Sequence, residues 1–239
     1  LPEMAGLEHW ALFSLGAGTL GNSFSGSTVN GDVGAAGNAN VSLSSSTLNG
    51  ALYYGSNGTL QMSGGSVITG ATIHDQDAVL NSVVAGALAV SGAASDLAAN
   101  RPFTKFNLKN TQTAALTGAP GETVVLNLKT FALSGSAAMT LNGTATTNFV
   151  INVKSKFSLL DNSRIVLAGG MNWNNVLFNV VGKGANAKIA GQSSFEGTLM
   201  ANFRTVQVQD RATVWGQIIA NRILLSGGTQ ITLPPITSP

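Results

Sequence analysis

Cysteine is absent from the 239 residues, and charge is scarce: 12 Lys and Arg with 10 Asp and Glu make up only 9% of the chain, against roughly 25% in ordinary soluble domains. Without thiols, neither disulfides nor thiolate catalysis is available. Two histidines leave little material for a Ser-His-Asp arrangement or a zinc site. No charged side chain occurs from Val33 to His74 or from Phe131 to Val153. The net charge of +2 is a small difference, and no basic run is visible, so nucleic acid and membrane surfaces are not expected partners. No uninterrupted apolar run reaches the roughly 18 residues of a membrane span.

What is present excludes disorder. Hydrophobic residues make up 44% and glycine supplies 29 positions, whereas disordered chains are charged and poor in β-branched residues. An apolar-x-Gly-x-apolar pattern recurs as Val29-Asn30-Gly31-Asp32-Val33, Leu48-Asn49-Gly50-Ala51-Leu52 and, imperfectly, Ile68-Thr69-Gly70-Ala71-Thr72. It returns as Phe195-Glu196-Gly197-Thr198-Leu199 and Val214-Trp215-Gly216-Gln217-Ile218. Within each group, successive glycines are separated by roughly 20 residues, which suits one coil of a β-solenoid, whose coils must stack to bury their inner faces. Further strands are expected at 124–128, 149–153, 165–167, 176–180 and 205–208. Between residues 75 and 100, Leu80, Val83, Val84, Ala87, Leu88, Ala94 and Leu97 follow helical spacing. His74 or Asp75 is the expected cap, and Asn100 with Pro102 the stop.

These features together resemble the ice-binding-like β-solenoid fold. The stretches Asn148-Phe149-Val150-Ile151-Asn152-Val153, Asn174-Asn175-Val176-Leu177-Phe178-Asn179, Ser194-Phe195-Glu196-Gly197-Thr198-Leu199 and Trp215-Gly216-Gln217-Ile218 resemble the bacterial choice-of-anchor A domain more narrowly. The resemblance implies an exported bacterial protein, and Leu1 in place of Met suggests a removed signal peptide. The fold class expected is all-β with one long helix: a right-handed β-solenoid with the helix packed along its side. The expected domains are an N-terminal strand, cap or subunit-pairing segment (1–15), a single solenoid (16–233) and a tail (234–239).

The leading functional expectation is a non-enzymatic, secreted structural or adhesive protein that polymerises with itself. Its weakly repelling neutral surface would be joined by strand pairing through Leu7, Trp10, Leu12, Phe13, Leu15, Ile231 and Leu233. Removal of residues 1–15 should then leave a folded monomer. The alternative is an ice-binding protein whose flat face carries Thr28, Thr47, Thr69, Thr144 and Thr146. Thr28 and Thr47 recur near the coil period, and Thr69 is displaced by one position. A carbohydrate-binding or polysaccharide-cleaving solenoid ranks third. Its acids would be Asp161, Glu196 and Asp210, brought together by stacking, and Trp173 and Trp215 are its candidate sugar platforms. Cofactors and metals are not expected, because His74-Asp75-x-Asp77 lacks the further ligands a metal needs. Beyond a second copy of itself, the candidate partners are a cell surface, a polysaccharide or ice.

Overall fold

A short strand with alternating apolar residues has one face to hide, and this chain hides it by winding. The computed structural model describes residues 1–2, 6–16 and 21–236. Among the described residues its strands stack in parallel, coil on coil, with one α-helix alongside. Thr28 lies beside Thr47, and Thr47 beside Val67. Leu199 lies beside Ile218 with the same short step. The middle coils take a longer step, pairing Thr123 with Asn148 and Phe149 with Val176. The short period read from the glycines therefore belongs to the first and last coils, while the middle coils carry extra residues in their corners.

Each coil contributes three strand segments, which gives the stack three faces. The first face includes Trp10–Ser14, Asp32–Ala35 and Leu52–Tyr54. The second includes Asn22–Ser25, Val41–Ser44 and Leu60–Ser63, and the third includes Thr28–Asn30 and Thr47–Asn49. Inside the prism, Phe131, Phe157, Phe178 and Phe195 pack ring against ring in the longer coils.

The two kinds of corner have different chemistry. Between the third and first faces the repeat glycines stack. A Cβ on Gly50 would collide with the carbonyl of Gly31, and one on Gly216 with that of Gly197. Between the second and third faces the backbone turns through positive φ at Ser45, Asp161, Gln192 and Asp210, and Asp tolerates this conformation better than most residues. Beneath this corner, buried Ser27, Ser46, Ser163, Ser193 and Thr229 link coils through their hydroxyls, so the hydroxyls buried at this corner are satisfied.

The helix runs Asp77–Asp96. Its cap differs from expectation. Gln76 is the N-cap without a side-chain bond, Asp75 turns through φ 60 and sits 3.3 Å from the His74 ring, and the Asp77 carboxylate accepts the Ser56 N–H at 3.1 Å. By length and hydropathy this helix could cross a membrane, although no uninterrupted apolar run marks it. Leu80, Val83, Ala87, Val90 and Ala94 are instead buried with Phe13, Val125, Val150, Leu177 and Ile219 of the first face.

The order of coils is not the order of the sequence. Leu12 pairs with Val33 on one side and Ile218 on the other, and Ile231 pairs with Val214 and Val29. Both terminal strands thus lie in the middle of the stack. From there the chain winds outward to residues 72–73, returns along the helix to 105–117 and winds back. This placement corrects the expected self-association surface. Leu7, Trp10, Leu12, Phe13 and Ile231 are at most 1% exposed, Leu15 is buried and Leu233 half-buried. Their apolar area is used inside one chain, joining its two halves, and is not available to a second copy.

Candidate functional site: a polar grid on the third face

Outward-pointing residues of the third face fall into two rows. One row runs Val67, Thr47, Thr28, Gln230, Thr213, each in register with the next. Beside it runs Asn49, Asn30, Thr232, Trp215. Parallel strands about 4.8 Å apart, with outward residues about 6.6 Å apart along each strand, turn these rows into a two-dimensional grid. The second row is fixed by its own hydrogen bonds. Asn49 Nδ2 donates to Asn30 Oδ1 at 2.9 Å, and Asn30 Nδ2 to Thr232 Oγ1 at 3.0 Å. Threonine adds stiffness, because branching at Cβ restricts χ1.

Of the expected ice-face residues, the structure brings Thr28 and Thr47 together as direct neighbours. Thr69 lies two positions beyond Val67, the true neighbour of Thr47, and so falls outside their row. Thr144 and Thr146 sit in the corner before Asn148–Leu159, where their hydroxyls bond each other at 3.1 Å. Gln230 and Thr232 join the grid although no repeat pointed to them, since they come from the closing strand Gln230–Thr232. Thr213 joins it from the position before Val214-Trp215-Gly216 that Thr28 and Thr47 hold before their own repeats.

The grid stops where Trp215 stands, 51% exposed. Beyond it, Glu196 and Arg164 bring charge to the same face. Glu196 Oε2 accepts the Leu167 N–H at 3.1 Å, while Asp161 and Asp210 occupy positive-φ corners. The three acids are therefore divided between a face and a corner. Trp173 is buried and donates through Nε1 to the Pro234 carbonyl at 3.0 Å. Among the described residues, no group of three or more metal-ligating side chains converges.

This fold and face define a class. The sequence model of the ice-binding-like family matches residues 15–231, and the chain belongs to that family. The match does not support the narrower choice-of-anchor A likeness. Among solved structures, the chain is similar to an ice-binding protein from the Antarctic ascomycete Antarctomyces psychrotrophicus, with 19% identity over 98% of each chain and a TM-score of 0.67. It is similar to an ice-binding protein from an Antarctic biological consortium, with 19% identity over 95% of this chain and 89% of that one and a TM-score of 0.66. A domain of a Shewanella frigidimarina ice-binding protein matches over 98% of both chains at 15% identity, with a TM-score of 0.53. At these identities the likeness is one of fold. No curated protein matches. The family match overturns the structural and adhesive expectation in favour of the ice-binding alternative.

Proposed function

We propose that the chain binds ice through the third face. The supporting observation is the in-register array Thr47, Thr28, Gln230, Thr213 beside Asn49, Asn30, Thr232, carried on a fold of the ice-binding-like family. Hydroxyls and amides held at regular intervals order a water layer, and the threonines and the hydrogen-bonded asparagines lose little freedom on binding because Cβ branching or a neighbouring side chain already restricts them. The array carries no charge, and ammonium or carboxylate groups would impose their own tight hydration. The second face is the poorer candidate: it carries serines (Ser23, Ser42, Ser44), which lack the Cβ branching of threonine, at one end and Lys188, Lys156 and Lys105 at the other. The reading involves no bond-making step and goes with an extracellular setting. It takes the winding as right-handed, the hand that parallel crossovers adopt almost without exception.

Thermal hysteresis and partition into a growing ice hemisphere test this reading. The unmodified chain should shape ice and enter it. Thr28→Tyr or Thr47→Tyr should remove most of that activity, whereas Ser42→Tyr on the second face should retain it. Absence of both effects in the unmodified chain rejects ice binding. Loss with Ser42→Tyr alone assigns the wrong face.

A further inference from the structure

One region of this lightly charged surface departs from the rest. Five of the chain's 12 cationic side chains, Lys154, Lys156, Lys183, Lys188 and Arg204, line a single recess of about 430 Å³, and among the described residues no Asp or Glu lines it. Sequence hides the cluster because its members are scattered between positions 154 and 204 and meet only when three coils stack. At its base Arg204 is 3% exposed. Its guanidinium donates to the carbonyls of Gly182, Val181, Ala185, Lys154 and Ser155. All five donors are used, and burial lowers its pKa. The residue pins the 181–186 loop against the 154–155 bulge and so brings the lysines of both segments to one rim. Its charge meets carbonyl dipoles and, among the described residues, no carboxylate.

Positive charge continues along the same edge. Lys105 stacks on Thr130 and Thr130 on Lys156, Lys188 stacks on Gln207, and Thr205 on Arg222. At about 4.8 Å per coil the run covers roughly 24 Å, the geometry of a groove for an extended ligand. Concentrated like charge on a concave surface raises the local concentration of counter-charge. Ammonium groups act as point charges without the fork that reads phosphate in two-point fashion. Phe157, the sole aromatic in the lining, is 1% exposed, so no ring is offered for the base stacking on which single-stranded nucleic acid binding depends.

We propose that this recess binds an acidic polysaccharide, with sulfate or carboxylate groups seated among Lys154, Lys156, Lys183 and Lys188, and Ser155 and Asn186 hydrogen-bonding its hydroxyls. The site is separate from the ice-binding face and independent of it. Titration of the full chain with a heparin oligosaccharide should show saturable binding that weakens as salt rises. The variant Lys154→Gln/Lys156→Gln/Lys183→Gln/Lys188→Gln should bind at least about tenfold more weakly, with its thermal unfolding midpoint and any ice activity unchanged. Lys109→Gln/Arg211→Gln, which lies outside the recess, should bind as the unmodified chain does. Absence of saturable binding, equal affinity in the fourfold variant, or tighter binding of single-stranded DNA of matched length overturns the proposal.

Discussion

Single residues in this molecule are constrained by the coil next door more than by their own coil. Gly216 has φ 133, and any Cβ there would meet the Gly197 carbonyl. Gly216→Ala should therefore destabilise by more than about 1 kcal/mol, seen as a lower denaturant midpoint. Asparagines on the first face show a second coil-to-coil constraint. Asn127 donates to the carbonyl of Leu97, the C-cap of the helix, and Asn152, Asn179 and Asn202 to the helix carbonyls of Ala94, Ser91 and Ala87. The helix rises about 1.5 Å per residue, so about 4.8 Å per coil corresponds to roughly 3.2 residues, and the acceptors step by 3, 3 and 4. Asn179 also accepts from the Ser91 hydroxyl at 2.7 Å. Asn179→Ala leaves buried partners unpaired, which costs about 1–3 kcal/mol, and chemical denaturation would measure the loss.

At the scale of elements, the helix is held by its apolar stripe and tied down at its ends. Leu80 is fully buried against the first face, and Leu80→Ala should cost about 2–5 kcal/mol. Near its start, hydrogen bonds from the Ser56 side chain and backbone hold the Asp77 carboxyl below its ordinary pKa. Beyond its end, the Ala119 N–H and then Arg101, at 2.7 Å, do the same for Glu122. A carboxyl whose native pKa is depressed contributes fully above its unfolded value, about 4, and loses that contribution as the pH falls through the native one. The contribution of these two carboxyls should thus be constant near neutrality and drop on acidification below about pH 4, with Glu122→Gln flattening part of the drop in a pH series of thermal melts.

The helix and the coil repeat were legible in sequence because both rest on local periodicity, as in Leu80, Val83 and Ala87 or in the glycines 31, 50 and 70. The cap was not, since Asp75 occupies a turn that no spacing rule marks. Longer middle coils escaped notice because their corner insertions break the period. Half of the grid was visible in Thr28 and Thr47. The other half, Gln230 and Thr232, depends on pairing between the two ends of the chain, which composition does not encode.

The whole molecule is sewn together at its centre. Leu12 sits between Val33 and Ile218, and buried Gln217 donates to the carbonyls of Leu7 and Trp10 at 2.8 and 3.1 Å. Deletion of residues 1–15 should accordingly cause loss of cooperative unfolding, measured by circular dichroism, and should not yield the folded monomer expected from sequence. A stable, two-state truncated protein would show that the halves hold without the seam.

Leu1 and Ile236 line the same shallow recess, and this proximity bears on how the fold is reached. As the chain stands, contacts at the seam close only after nearly all of it has been made and ordered, a late and entropically demanding event. Joining the present ends with a short linker and reopening the backbone near Asn100 would produce a chain whose coils follow one another from tip to tip, with the helix last. Such a permuted version keeps every native neighbour and shortens the wait, so its refolding should outpace that of the original order.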